Sequence, residues 1–311
     1  MHGDKRWSYH LNFNLKQLEA FVWVSDLGSF RRAAERLNTT QPNISSRIAS
    51  LETALNVSLM ERDAGSVRLT TKGQDLLEHA RQVLQSAEQL VEAADVGAMY
   101  DGVLRLGVTE MVVHTWLREF QRVLKEQFPN IAVELTVDMS VNIEKELFAR
   151  SIDLAFQSEP FSRSTTGAID LGTYEQIWVA AKSCALVQAK QVDTAMLASY
   201  PVLTHARGTR PYEQIAAHFR QHQHLSARLV PSSNLAACVH MSADGMGVAS
   251  VPSAMVSREL TNGELARVPY NWAPEDLHFF ARYDAERSPH YVLKAAQLAG
   301  EISNAFNQSG I

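Results

Sequence analysis

Apolar residues recur at three- and four-residue steps from Leu15 through Leu18, Phe21 and Val22, which marks one buried helix face ending near Gly28. Ser29 is placed to cap a second helix, short and Ala-rich, in which Phe30, Ala33, Ala34 and Leu37 point inward while Arg31, Arg32 and Glu35 face water. Its small alanines let a neighbouring helix come close. Asn38-Thr39-Thr40 turns the chain, and Thr40 caps a third helix with Pro42 in the first turn, where an amide has no intrahelical partner to lose. Ile44, Ile48, Leu51 and Leu55 form its buried stripe, leaving Gln41, Asn43, Ser45, Ser46, Arg47 and Ser50 on the other faces. Arg62 to Thr70 is the pattern of a tight hairpin, with Arg62 and Arg68 near its two ends. Thr70 then caps a long helix over Thr71 to Val96, about 39 Å at about 1.5 Å per residue. In it Leu77, Leu84 and Val91 repeat every seven residues, interleaved by Ala80, Ala87 and Ala94 and flanked by Leu76, Val83 and Leu90. That is a coiled-coil seam, and it predicts pairing of two copies while the other face rests on the domain before it.

Beyond residues 97–102 the period changes to alternation. A strand at Val103 to Val108, a helix at Glu110 to Gln127 and a strand at Ile131 to Val137 make a βαβ unit, extended by a helix at Ile143 to Ala149 and a strand at Ile152 to Phe156. Such units predict a parallel sheet covered by helices. A second set follows: strands at Ile177 to Ala181 and Val202 to Thr204, a helix at Tyr212 to Gln221, a strand at Arg228 to Val230, a helix at Leu235 to Ala243 and a strand at Val248 to Val251. The last strand, Leu277 to Tyr283, and the last helix, Tyr291 to Phe306, are expected to return to the first lobe. The fold class is therefore α/β, with an all-α N-terminal module. The expected divisions are 1–70 for the winged module, with 1–13 a disordered extension or expression remnant, 71–97 for the linker helix, and 103–311 for the two-lobed domain. Lobe I takes about 103–173 and 275–311, and lobe II about 174–274.

Composition narrows the class. A chain of 311 residues is too long for one ordinary core, and 46% hydrophobic with 20% charged residues is the make-up of a folding, soluble protein. No run approaches the roughly 18 apolar residues of a membrane span, and the first residues lack a signal-peptide core, so a cytoplasmic location is expected. Two cysteines, Cys184 and Cys238, exclude a disulfide-stapled scaffold. The net charge of −5 is unevenly spread: residues 1–70 hold nine Lys and Arg against seven Asp and Glu, +2, which leaves −7 for the rest. The imbalance is a mild pointer toward a polyanion at the front.

The third helix carries the stronger one. Its free surface is polar but barely charged, the composition suited to base edges: Gln and Asn bond bidentately to adenine, Ser to several bases, Arg to guanine or phosphate. Arg62 and Arg68 on the hairpin could add phosphate or minor-groove contacts. Leu18 and Phe21, Gly28-Ser29-Phe30, Ala33-Ala34, Leu37, Thr40-Gln41-Pro42, Ile48, Leu51-Glu52, Leu59, Arg62, Leu69-Thr70 and Gly73 together closely resemble the winged helix-turn-helix of LysR-type transcriptional regulators. The resemblance implies a homodimer or homotetramer on double-stranded DNA, at an interrupted palindrome near a promoter, responding to a small-molecule effector. It also implies DNA contacts from Gln41, Pro42, Ser45 and the wing arginine. Thr40, Asn43, Ser46, Arg47, Arg31, Arg32 and Arg68 complete the candidate DNA set. Where the family often has a basic residue directly after the Ser, this chain has Ser46, with Arg47 following, so one phosphate contact is lost or shifted.

The C-terminal half resembles, more weakly, the family's periplasmic-binding-protein-like effector domain, through Ser232 to Asn234, the run from Ala243 to Pro252 and the strand order. In open α/β sheets ligands sit outside the carboxyl ends of the strands, at helix N-termini. That rule selects Thr109, Glu110, Asp138, Ser140, Gln157, Ser158, Thr204 and His205. Thr109, Ser140, Gln157, Thr204 and His205 match positions where family members contact effectors, and each serves equally well as a helix cap or turn closer. Many family effectors are small carboxylates. Glu110 would repel one unless it turns away or His205 is protonated, so the expected effector is neutral, zwitterionic or cationic.

Other chemistries fit less well. His218 and His222 lie one helical turn apart with His224 close behind, but no nearby Cys or acidic residue completes a metal site. Cys184 and Cys238 both adjoin apolar residues, the setting of inert thiols. There is no G-x-G-x-x-G after the first strand, no G-x-x-x-x-G-K, no H-E-x-x-H and no G-x-S-x-G, which argues against an enzyme and against a nucleotide cofactor. The remaining rival is a ligand-binding module without DNA activity.

Overall fold

The computed structural model describes residues 12–63, 66–93, 102–222 and 225–309, in two compact units, Met1–Met99 and Tyr100–Ile311. The expected N-terminal extension lies, up to residue 11, outside the described residues.

In the first unit α1 (Leu15–Leu27), α2 (Phe30–Arg36) and α3 (Gln41–Leu55) precede a hairpin of β1 (Met60–Asp63) and β2 (Ser66–Leu69), then α4 (Thr71–Ala93). The caps explain the boundaries. Asn14 and Gln17 exchange side-chain and backbone bonds as a capping box, and Gly28 ends α1 at φ +62°. Ser29 caps α2 and Thr40 caps α3 through the amides of Arg32 and Asn43. Leu18, Phe21, Ala33, Ile44, Ile48, Leu51 and Leu59 form one core. The hairpin is pinned to it from both sides: Glu52 accepts from the Leu59 and Met60 amides at 2.7 and 3.2 Å, and Thr70 donates to the Ser58 carbonyl at 2.7 Å. Gly73 belongs to the same junction, because a Cβ there would lie 2.1 Å from the Leu59 carbonyl oxygen.

The expected helical seam is divided in the structure. Leu76, Leu77, Ala80 and Leu84 of α4 pack into the core of the first unit, and Arg81 reaches the buried Asp26 of α1 at 2.6 Å. Among the described residues Val83 at 44% and Leu90 at 72% exposure, seven residues apart, are the large apolar side chains that α4 leaves in solvent. Leu77 and Leu84 are thus half-buried against that core in the single chain. The Val91 side chain and Ala94 to Val96 lie outside the described residues.

The second unit has two five-stranded sheets. The first holds β3 (Gly102–Val108), β4 (Ile131–Val137), β5 (Leu154–Ser158), β6 (Gly167–Tyr174) and β12 (Leu277–Tyr283) in the order β4-β3-β5-β12-β6. It is covered by α5 (Glu110–His114), α6 (Leu117–Gln127), α7 (Ser140–Phe148) and α13 (His290–Gln308). The second orders β11 (Leu265–Arg267), β7 (Gln176–Ala181), β10 (Val248–Pro252), β8 (Val202–His205) and β9 (Leu229–Ser232). Its helices are α8 (Ala185–Gln188), α9 (Thr194–Ala198), α10 (Arg210–Gln221), α11 (Leu235–Ala243) and α12 (Ser257–Asn262).

Neither sheet is purely parallel. β3, β4 and β5 run parallel, as do β8, β9 and β10, but β12 pairs antiparallel with β5 and β6, and β7 antiparallel with β10 and β11. The antiparallel members are the strands entered where the chain passes from one sheet to the other, directly from β6 to β7 and back from β11 to β12. The single helix expected over Glu110 to Gln127 is two. Its break at Thr115 and Trp116 turns the Trp116 indole inward, against Phe120 and Phe156, where its N–H donates to the Tyr174 hydroxyl at 2.8 Å. A buried indole needs such a partner.

Candidate nucleic-acid interface and ligand cleft

On α3 the buried stripe of Ile44, Ile48 and Leu51 turns the opposite face outward: Gln41, Pro42, Asn43 and Ser46 are exposed, and Ser45 and Arg47 half-buried. Asn43 is steadied by the Thr39 hydroxyl at 2.8 Å. Arg47 and Lys16 lie near Glu19, whose carboxyl is nonetheless held above its ordinary value by burial. Arg31 makes an exposed ion pair with Glu35 at 3.2 Å, and Arg32 is half-buried on the same helix. Arg68 is exposed on β2, opposite Glu61. Arg62 is on β1, and its side chain lies outside the described residues. What this surface offers is a row of short polar groups at a helix N-terminus with cations on neighbouring elements.

In the second unit a cavity of about 850 Å³ opens between the two sheets. Thr109, Glu110, Asp138, Ser140, Ser158 and His205 line it, together with apolar side chains that include Met111, Val137, Phe161, Leu277 and Phe279. Gln157 and Thr204 do not: both are fully buried, and among the described residues the Gln157 amide and Thr204 hydroxyl have no side-chain hydrogen-bond partner. Ser140 holds β5 to the start of α7, accepting from the Ser158 amide at 3.1 Å with the two hydroxyls 3.2 Å apart. Asp138 accepts from the Met139 amide and the Asn142 side chain at 2.6 and 2.9 Å. His205 is buried, 3.4 Å from the Gln176 amide oxygen, and burial pushes its pKa down to about 4, so the imidazole is neutral near pH 7. Glu110 accepts from the Leu235 and Ala236 amides of α11 at 2.6 and 3.1 Å. It stands 3.6 Å from His114.

A second constellation escapes any local reading of the sequence. Glu144 of α7 lines the cavity and accepts from the Ser162 amide and hydroxyl, the Arg163 amide and, at 3.0 Å, Arg282 of β12. Arg282 is 2% exposed, lies 3.8 Å over the Phe161 ring and donates to the Arg163 carbonyl. Burial pushes the Glu144 carboxyl up, but the bonds from Ser162 and Arg282 outweigh it and leave the group below its ordinary value. The rim segment around Phe161 is fixed to the lobe by this pair.

His218 and His222 sit in an aromatic cluster of the second lobe. His218 stacks on Trp272 at 3.8 Å and meets the Tyr270 hydroxyl at 2.5 Å, while His222 donates to the His218 carbonyl at 3.0 Å. Burial, then the neighbouring His222, lowers the His218 pKa. His224 lies outside the described residues. Cys238 is buried with its sulfur 3.8 Å from the Thr204 carbonyl oxygen, and burial pushes that thiol up.

Residues 15–74 match the model for bacterial regulatory helix-turn-helix proteins of the lysR family, and residues 98–299 match the model for the LysR substrate-binding domain. The chain belongs to the LysR family. This LysR regulator is similar to the transcriptional activator CmpR of Synechocystis, 26% identical over 89% of the chain and 91% of the relative, and to the transcriptional regulator PtxR of Pseudomonas aeruginosa, 27% identical over 89% and 88%. Its fold is that of a full-length OxyR variant from Pseudomonas aeruginosa, TM-score 0.60 at 22% identity over 94% of this chain and 95% of that one. It is also that of ArgP from Mycobacterium tuberculosis, TM-score 0.60 at 22% identity over 93% and 97%. The protein is therefore a LysR-type DNA-binding regulator with a small-molecule effector domain. Among its described residues no helix is long and apolar enough to cross a membrane.

Proposed function

We propose that α3 of this LysR regulator lies in the major groove of double-stranded DNA, with Gln41, Asn43, Ser45 and Ser46 at base edges and Thr40 and Pro42 beside the backbone. Arg31, Arg32, Arg47, Arg62 and Arg68 supply phosphate contacts. The observation that carries the reading is the outward face of α3, polar and nearly uncharged at the end of the helix whose opposite stripe is buried. The Gln, Asn and Ser side chains of such a face match the donors and acceptors of base edges in the major groove. Two copies pair through α4 to span an interrupted palindrome, dimers assemble further to a tetramer, and the protein acts in the cytoplasm, where the chromosome is. The cavity between the lobes takes the effector, held by Thr109, Ser140, Ser158 and His205 against an apolar wall. It senses and performs no catalysis: Glu110, Asp138, Ser140 and Glu144 around it are engaged in structural bonds and not poised as an acid, base or nucleophile. The test is to map binding of the full-length protein across its genome, then titrate a recovered site against random duplex with and without compounds suggested by the neighbouring genes. A strong preference for the recovered sites, moved by one such compound and lost on deleting residues 1–97, is expected. Equal binding to random duplex overturns the reading in favour of a ligand-binding module without DNA activity.

A further inference from the structure

The N-terminus of α11 is already occupied. A helix leaves about four amides without intrahelical partners at its start, and these attract carboxylates. In α11 the Asn234 amide donates to the Ser232 hydroxyl at 3.0 Å, the Leu235 and Ala236 amides to the two oxygens of Glu110 at 2.6 and 3.1 Å, and the Ala237 amide to the Asn234 side chain at 2.6 Å. All four donors are filled from within the chain. Two of them are filled by a carboxylate 125 residues away in sequence, which starts α5 on the first sheet while α11 packs on the second. The bidentate, charge-assisted pattern is the one an external carboxylate would adopt there.

We propose that Glu110 is a built-in occupant of this anion place, a clasp joining the two lobes and the residue that bars carboxylate ligands from the α11 end of the cavity. This rests on the reading of the cavity as the effector site. A carboxylate has about four lone-pair positions, and the α11 amides use one on each oxygen. Glu110 lines the cavity, so what it presents there is acceptor capacity, matched by an ammonium, amide or hydroxyl donor and repelled by an anion. The neighbouring chemistry agrees. Asp138 and Glu159 also line the cavity; Arg210, the one arginine among the described lining residues, is paired with Glu275, His205 is buried, and the exposed His114 stands 3.6 Å from Glu110 itself, where a negative charge is already in place. The effector at this end is thus a hydrogen-bond donor, and the anionic partner of α11 is the protein's own.

The test uses the full-length chain and acetate as the probe, at neutral pH, with sodium chloride of equal ionic strength as the control. Glu110→Ala opens a gap the size of a carboxylate, and Glu110→Gln removes the charge but fills the gap. The thermal midpoint of the effector unit in Glu110→Ala is expected to fall by roughly 2–6 °C and to recover by at least half in acetate. Glu110→Gln falls less and does not recover, and the wild type does not respond. The proposal is overturned if Glu110→Ala melts like the wild type, if acetate fails to restore it, or if acetate moves all three proteins alike. No DNA or effector enters the measurement. A negative result here leaves the regulatory reading standing, and failure of DNA binding leaves the clasp standing.

Discussion

The helix proposed to read DNA and the cleft proposed to read the effector treat polar residues in opposite ways. On α3, Gln41, Asn43 and Ser46 are exposed, and among the described residues the side-chain bonds at that end of the helix come from Thr39 and Thr40. Around the cavity nearly every charged side chain is turned back onto the protein: Glu144 onto Ser162, Arg163 and Arg282, Glu110 onto α11, Asp138 onto the start of α7. A surface that must pair with many partners in succession keeps its hydrogen-bonding capacity free. A pocket that must hold one shape for one small ligand uses its capacity to fix that shape. Polar residues are therefore poor indicators of ligand contact in the cleft, while on α3 they mark the face proposed to meet DNA. Substitutions in the two places should separate stability from recognition.

The largest separation is expected at Glu144. Glu144→Ala leaves Arg282, 2% exposed, without its carboxylate, and breaking a buried pair from one side costs about 3–5 kcal/mol. Urea unfolding should show that loss in the transition of the effector unit, with the helix-turn-helix unit unmoved and its DNA preference intact below the transition. The acid limb gives the sign. The Glu144 carboxyl lies below its ordinary value of 4.5 in the folded protein, so its contribution is complete above that value and fades as the pH falls through the lower folded one. The difference between wild type and Glu144→Gln should narrow in acid. A gap that widens there contradicts the ion pair.

Next in size is the exposed pair on α4. Val83→Asp with Leu90→Asp places charges on positions in solvent in the single chain, so the melting of the first unit should change little. If these residues form the seam between two copies, sedimentation should show monomer and affinity for a two-half-site operator should fall by roughly 100-fold or more. An intact dimer would move the seam elsewhere.

How far the sequence can be read follows the same division. The first unit is legible because its signals are local: Ser29, Thr40 and Gly28 mark helix ends within a turn of the residues they serve, and the Ile44, Ile48, Leu51 stripe defines the free face of α3 directly. The seam is not, because Leu77 and Val83 are both apolar at helical spacing, and only the tertiary packing says which is core. In the effector unit the period runs on through Trp116, which hides the break between α5 and α6. β6 carries two glycines, one at φ +89° beside a bulge, and its weak alternation hides a strand. The cavity's ring of strand ends can be drawn from the topology rule, but not which residues face inward: Gln157 and Thr204 satisfy the rule and lie outside it. The Glu144–Arg282 pair joins residues 138 apart, and no local pattern encodes it.

The smallest effects lie on the DNA side, and their pattern matters more than their size. Gln41→Ala should leave unfolding unchanged, since the residue is exposed, yet cost about 1–3 kcal/mol in affinity for the operator and relax preference at one base pair. Arg68→Ala should weaken binding to operator and random duplex alike by a few-fold and lower the salt slope of binding by about one. Measured together by anisotropy over a salt series, the two variants should cross: the first loses specificity at a constant slope, the second loses slope at constant specificity. If both changed the slope alone, α3 would be holding the backbone and not reading bases, and its uncharged face would need another explanation.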